Sequence, residues 1–193
     1  MKQQQIRQLI TESGRVVAAL RKHAGSVGMI GDELVACLKR GGTILTAGNG
    51  GSAAEALHMA EELTGRFKSN RRALSAICLA ADPASITCIG NDFGFNEIFK
   101  RQMEAIGRPG DVVVFFTTSG KSENLRRALT AAVKRGVKTV CLLGRNGGTM
   151  AGQGDYEIIV DSQSTGRIQE AHQVILHLLL EIIEEEFGLE DGP

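Results

Sequence analysis

The sequence predicts an α/β fold: a five-stranded parallel sheet with helices on both faces. Two observations carry this. Five short β-rich runs, TILTA (43–47), LSAICLA (74–80), DVVVFF (111–116), KTVCLL (138–143) and YEIIV (156–160), are continuously apolar rather than alternating, as strands covered on both faces are. Helical patterns over 52–66, 94–106, 121–135 and 167–187 fall between and after them, so strand and helix alternate and the crossovers are right-handed.

Taken in order, two helical segments come first, at 3–23 and 27–40, with a turn-like His23-Ala24-Gly25-Ser26 between them. They are expected to pack on the domain or on a partner subunit. The strands and their helices then follow without a repeat, a Pro-rich linker or a low-complexity segment, which makes residues 1–193 one domain. The last helix, RIQEAHQVILHLLLEIIEEEFG, is apolar around more of its circumference than one sheet face requires, and subunit association would use the excess.

Bulk properties narrow the function. With 22 basic and 22 acidic residues and no run of like charge, neither a nucleic-acid groove nor an anionic membrane surface is indicated. Cys37, Cys78, Cys88 and Cys141 lack C-x-x-C spacing and sit among apolar neighbours, so they read as buried thiols in a reducing cytoplasm. The amino terminus has no signal-type apolar region and VILHLLLEII is too short to span a bilayer, so a soluble cytoplasmic protein is expected.

Chemistry concentrates at two strand ends. TILTAGNGGSAAEA sets Gly48, Asn49, Gly50, Gly51 and Ser52 between a strand's carboxyl end and a helix start, where open α/β sheets bind ligands and free N–H groups favour anions. It matches neither G-x-G-x-x-G nor a Walker loop, which disfavours a dinucleotide or ATP. The plainer alternative is a tight turn with Ser52 capping the helix. DVVVFFTTSGKSENL supplies a second loop, where Thr117, Thr118, Ser119 and Ser122 crowd one strand end. Hydroxyls and helix-terminal N–H groups together can satisfy a phosphomonoester without a fixed positive charge, whereas an N-cap explains only one of the four.

His58 and Glu62 are i and i+4, about 6 Å of helical rise apart on one face, and such a pair can chelate a divalent metal or be a solvated surface pair. The last helix adds Gln169, Glu170, His172 and His177; by its surroundings in VILHLLL, His177 reads as a core residue. Gln169 and His177 lie about 80° apart around that helix and roughly 12 Å along it. One helix hardly aims both at one ion, unless different subunits contribute or Gln169 is not helical.

AGNGGSAAEALHMAEELTGRF, GNDFGFNEIF, TTSGKSENL, GGTMAG and RIQEAHQVILH together resemble the bacterial phosphoheptose isomerases, over nearly the whole chain. These belong to the sugar isomerase (SIS) group, with a flavodoxin-like three-layer sandwich and homotetramers whose active sites lie at subunit interfaces. The resemblance implies conversion of sedoheptulose 7-phosphate to D-glycero-D-manno-heptose 7-phosphate, a precursor of lipopolysaccharide heptose. It implies substrate binding by Asn49, Gly50, Gly51, Ser52, Glu62, Asn91, Asp92, Thr117, Thr118, Ser119, Ser122 and Gln169. One zinc ion (Zn2+) per subunit would lie among His58, Glu62, Gln169 and His177.

The chemistry asks for similar groups, because moving hydrogen between C1 and C2 through an enediol needs a base, an acid and a stabilised oxyanion. Glu62 is assigned as base and His177 as partner acid/base. Two positions depart from the family: Lys121, where asparagine is common, and Gly166, where a side chain is common. A noncatalytic replication-initiation regulator of the same fold is the main rival, but it lacks the counterparts of Glu62 and His177. An isomerase of another phosphosugar, such as arabinose 5-phosphate, fits NDFGFN less well, and a sugar-phosphate sensor would not need the acid/base pair.

Overall fold

The computed structural model describes residues 2–188. Helix α1 (Gln3–Ala18) runs through one 3-10 segment (Ala19–His23) directly into α2 (Ala24–Lys39). The expected turn at 23–26 is therefore absent. The overwound segment rotates the chain so that Val16, Leu20 and Val27 all reach the core, and Gly25 and Ser26 are carried inside a helix.

The remaining elements alternate as expected: β1 (Ile44–Gly48), α3 (Gly51–Thr64), β2 (Ala76–Cys78), α4 (Pro83–Phe93), a 3-10 turn (Phe95–Glu97), α5 (Ile98–Ile106), β3 (Val112–Thr117), α6 (Glu123–Lys134), β4 (Lys138–Gly144), β5 (Tyr156–Val160) and α7 (Thr165–Phe187). All neighbouring strands are parallel, in the order β2-β1-β3-β4-β5. Strand β2 is shorter than its apolar run because it is an edge, paired to β1 alone. Helix α4 was not expected as a separate element, although Asp82-Pro83 announces it: the Asp82 carboxylate accepts from Ala84 N at 2.9 Å, with proline in the first turn.

Side-chain alternation divides the core. Ile44, Val112, Val114 and Phe116 pack against α2, α3 and α7, while Leu45, Val113, Phe115 and Leu143 pack against α5 and α6. Helix α1 lies outside α7, tied by Arg167 Nη1 donating to the Leu9 carbonyl at 2.7 Å and by Ser13 donating to Glu170. No described helix is long and apolar enough to cross a membrane. Cys37, Cys78 and Cys141 are buried free thiols; Cys88 is exposed, against expectation, because α4 lies on the outside and buries none of its residues.

The strand order creates one crevice. From β1 the chain goes by α3 to β2, then returns past β1 by α4 and α5 to β3, so the connections diverge between the carboxyl ends of β1 and β3. Both loops singled out in the sequence leave the sheet there.

Candidate active site at the β1 and β3 carboxyl ends

The β1–α3 turn is shaped by what approaches it. A Cβ on Gly51 would stand 2.2 Å from Gln169 Nε2, so glycine lets the α7 amide lie against the start of α3. Ser52 is buried in the first turn and makes no cap hydrogen bond; Gly50 occupies the cap position. Asn49 turns toward the neighbouring loop. Its Nδ2 donates to Asn124 Oδ1 and Asn124 Nδ2 donates back to Asn49 Oδ1, both at 2.9 Å. That reciprocal pair joins the glycine loop to the start of α6.

In the second loop the hydroxyls have different duties. Thr117 Oγ1 accepts from Gly120 N at 3.1 Å and Ser119 Oγ accepts from Lys121 N at 3.2 Å, so these two hold the loop's own N–H groups. Among the described residues the hydroxyls of Thr118 and Ser122 have no hydrogen-bond partner, and Ser122 stands at the N-cap of α6 without capping it. Four hydroxyl-bearing residues and the start of α6 thus crowd one strand end, and two of the hydroxyls at this rim are unengaged. An anion with several oxygens is the ligand such a rim satisfies.

Helices α3 and α7 run side by side in the same sense, as the pairings Gly51 with Gln169, His58 with Gln173 and Leu63 with Arg71 and Glu184 show. In the groove between them His58 Nε2 is 3.2 Å from Glu62 Oε1, and Gln173 Nε2 is 2.6 Å from His58 Nδ1 and 3.1 Å from His177 Nε2. The two imidazole rings meet edge to face at 5.4 Å, and Phe67 stacks on His177. Donation from His58 Nε2 to the Glu62 carboxylate leaves Nδ1 as an acceptor, which is what the Gln173 amide needs.

The other tautomer, with Nδ1–H donating to the Gln173 amide oxygen and Nε2 unprotonated, fits a metal on the Glu62 side of His58. Two ligands each about 2.05 Å from a tetrahedral zinc are about 3.3 Å apart, close to the observed 3.2 Å. Glu61 completes a cluster with His58 and Glu62 in which one donor atom from each lies within 4.8 Å of the others. His177 stands across the Nδ1 side of the same ring, and Gln169 hydrogen-bonds none of the three. Of the four ligands expected from the resemblance, His58, Glu62 and His177 are thus drawn together, whereas Gln169 lies against Gly51 and the amide between the imidazoles belongs to Gln173.

His177 is half-buried, and the core histidine of α7 is His172. It is fully buried, its Nε2 is 3.1 Å from the Leu143 carbonyl, and burial pushes its pKa down to about 4. Asn91 and Asp92 do not join the crevice within this chain: on exposed α4, Asn91 donates to Asp92 at 2.7 Å and Asp92 faces Cys88.

Gln173, Asn124, Glu61 and Glu55 were missed by sequence reading. Gln173 had a signal, since i and i+4 spacing places it between Gln169 and His177 on one face. Glu55 is 6% exposed with neither carboxylate oxygen satisfied; burial pushes its pKa up to about 7, against the opposing pull of the Ser52 hydroxyl. Counting helical angle puts Glu55 on the flank of α3 that also carries Gly51, His58 and Glu62.

Comparison with known proteins shows the family. A family model described as SIS domain matches residues 10–144. The chain is similar to phosphoheptose isomerase 1 of Campylobacter jejuni, 44% identical over 176 residues that cover 91% of this chain and 95% of the relative. It is also 50% identical to the phosphoheptose isomerase of Syntrophotalea carbinolica over 159 residues, 82% of this chain and 81% of the relative. Among solved structures, a phosphoheptose isomerase from Francisella tularensis superposes with a TM-score of 0.92 at 33% identity, covering 96% of this chain and all of that one.

Proposed function

Because the chain belongs to the SIS domain family, as an isomerase among its phosphoheptose isomerases, we propose that it converts sedoheptulose 7-phosphate to D-glycero-D-manno-heptose 7-phosphate in the cytoplasm, supplying heptose for lipopolysaccharide. One observation carries the reading. A hydroxyl-rich rim at the sheet's switch point is joined to the glycine loop by the Asn49–Asn124 amide pair, and the α3–α7 groove that carries His58, Glu62 and His177 starts from that same loop, with His58 and Glu62 about 10–17 Å of helical rise further along α3.

In this reading Thr118, Ser119, Ser122 and the α6 N-terminus hold the phosphate. Asn49, Gly50, Gly51, Ser52 and Gln169 line the path of the sugar oxygens. Glu62 takes a proton from C1 of the open-chain ketose while O2 is protonated, giving the enediol; O1 then loses its proton and C2 gains one. In the metal-free state Glu62 is oriented for this by His58 Nε2–H, a hydrogen bond that zinc would replace, and His177 serves O2 and the ring-opening step. Zinc would be held by His58 and Glu62 with Glu61, His177 and Gln169 as further donors, and would polarise substrate oxygens.

Asn91 and Asp92, turned outward on α4, serve substrate from a neighbouring subunit in a homotetramer. The exposed Ile6, Leu9 and Ile10 of α1 and Leu178 of α7 support association of copies. The test is to incubate purified protein with sedoheptulose 7-phosphate, with and without chelator, and follow aldose formation by NMR. Aldose is expected, and its absence under both conditions sinks the reading.

A further inference from the structure

The GGTMAG stretch has no part in the reaction as described, yet it packs directly on the 117–122 loop. A Cβ on Gly120 would stand 1.8 Å from the Gly147 carbonyl oxygen, and one on Gly148 would stand 2.4 Å from the Ser119 carbonyl oxygen. The two loops therefore touch backbone to backbone. All three glycines also have positive φ, +60° at Gly120, +79° at Gly147 and +58° at Gly148, which side chains resist.

Their contact is directional. The Gly120 carbonyl accepts from Thr149 N at 2.9 Å, Met150 N at 3.1 Å and Thr149 Oγ1 at 3.2 Å. Three donors on one carbonyl fix the plane of the Gly120–Lys121 peptide. In a trans peptide the N–H points opposite the carbonyl, so the Lys121 N–H is turned away from GGTMAG and toward the hydroxyl rim, where it meets Ser119 Oγ. Met150 anchors the clasp from below, fully buried in the core with Phe115, Leu125 and Leu143.

We infer that Gly147, Gly148 and Thr149 are positioning residues for phosphate: they clamp the Gly120 carbonyl so that the Lys121 N–H holds Ser119 Oγ and leaves the Ser119 hydroxyl hydrogen as a preformed donor to a phosphomonoester. The inference rests on the reading that the 117–122 loop holds the substrate's phosphate. Pre-organisation of this kind acts on affinity, because the loop does not have to be ordered at the moment of binding. It leaves the proton transfers at C1 and C2 untouched.

The test compares Gly148→Ala, Thr149→Val and Ser119→Ala in the full chain, measuring kcat and KM for sedoheptulose 7-phosphate, the inhibition constant of inorganic phosphate, and the melting temperature. Gly148→Ala is expected to raise KM and the phosphate inhibition constant together by about tenfold with kcat within about twofold. Thr149→Val, which removes one hydroxyl and keeps the shape, is expected to raise both by about threefold, and it carries the test if Gly148→Ala does not fold. If both constants stay at wild-type values in the folded clasp variants while Ser119→Ala weakens phosphate, the clasp idea fails and the phosphate reading stands. A lower melting temperature with unchanged constants overturns it equally. If Ser119→Ala also leaves phosphate inhibition intact, it is the phosphate reading that fails.

Discussion

Asn49 and Asn124 exchange both amide hydrogen bonds at 2.9 Å, across the point where the sheet's connections diverge. Asn124 Oδ1 also accepts from Leu125 N, so a residue that is 2% exposed fastens the glycine loop to the first turn of α6. Asn124→Leu is expected to cost about 1–3 kcal/mol, since it strands the Asn49 amide. It should also raise KM more than it lowers kcat, because the phosphate rim and the sugar path lose their common reference. Urea unfolding and steady-state kinetics check both, and a variant losing stability alone would make the pair a structural strut.

Glu62→Gln keeps the size and one hydrogen-bonding oxygen of the side chain but removes its basicity. His177→Gln removes an imidazole while keeping polarity. Each is expected to lower kcat by about 10²–10⁴-fold with an unchanged circular dichroism spectrum. Near-normal turnover by either would remove that residue from the acid/base pair.

The parallel sheet was legible because its strands are buried on both faces and read as unbroken apolar runs, and the two ligand loops were legible because their residue types are unusual at strand ends. Asn124 was not, since a lone asparagine in a helix's first turn has no periodic signature and its partner lies 75 positions away. His177 reads as a core residue from its flanking residues alone, and His172 carries no such sign. Only the orientation of α7 against β4 and α3 tells which one enters the core. The continuity of α1 and α2 was missed for a similar reason: Gly25 and Ser26 favour a turn locally, but burial of Val27, Ile30 and Leu34 outweighs that preference.

Zinc retention separates the two α7 amides. Gln173 lies between the imidazoles and Gln169 lies against Gly51, so the geometry in one chain favours Gln173 as the residue that controls His58 and His177. After zinc loading and dialysis, His58→Ala is expected to retain least metal by elemental analysis, and Gln173→Ala to retain less than Gln169→Ala. The reverse order for the two glutamines would mean that Gln169 reaches the ion after a rearrangement of α7 or from a second subunit.

Glu55 and His172 give opposing pH dependences. Glu55 has a folded pKa of about 7 against 4.5 for the free group, so between those values the folded state keeps a proton the unfolded chain releases, and stability falls as pH rises. His172 has a folded pKa of about 4 against 6.5, so between those values the unfolded chain holds the extra proton, and stability increases with pH. Each effect amounts to roughly 3 kcal/mol, and from pH 4.5 to 6.5 the two slopes cancel. Glu55→Gln removes one of them. Its stability relative to wild type is expected to be greater at pH 8 than at pH 4.5 by roughly 3 kcal/mol in urea unfolding. A pH-independent difference would show that Glu55 is not held as the neutral acid.

Arg71 links the end of α3 to α7, and through it the backbone of the proposed base is held. Its side chain is fully buried: Nε donates to Glu184 Oε2 at 3.0 Å, Nη1 to the carbonyls of Leu63 and Arg72 at 3.1 Å, and Nη2 to the Glu62 carbonyl at 2.8 Å. A cation on the last carbonyls of a helix is favourable, and the planar fork serves two helices at once, which lysine cannot do. Burial raises the Glu184 pKa, but the Ser69 N–H and Arg71 outweigh it and hold the carboxylate below its usual range. Arg71→Met strands that carboxylate and is expected to cost about 3–5 kcal/mol. Adding Glu184→Met removes the stranded charge, so the double variant should regain most of the lost stability in urea unfolding. It does not restore the grip on the Glu62 carbonyl. The double variant is therefore expected to remain low in kcat, and recovery of both stability and kcat would reduce Arg71 to a structural tie.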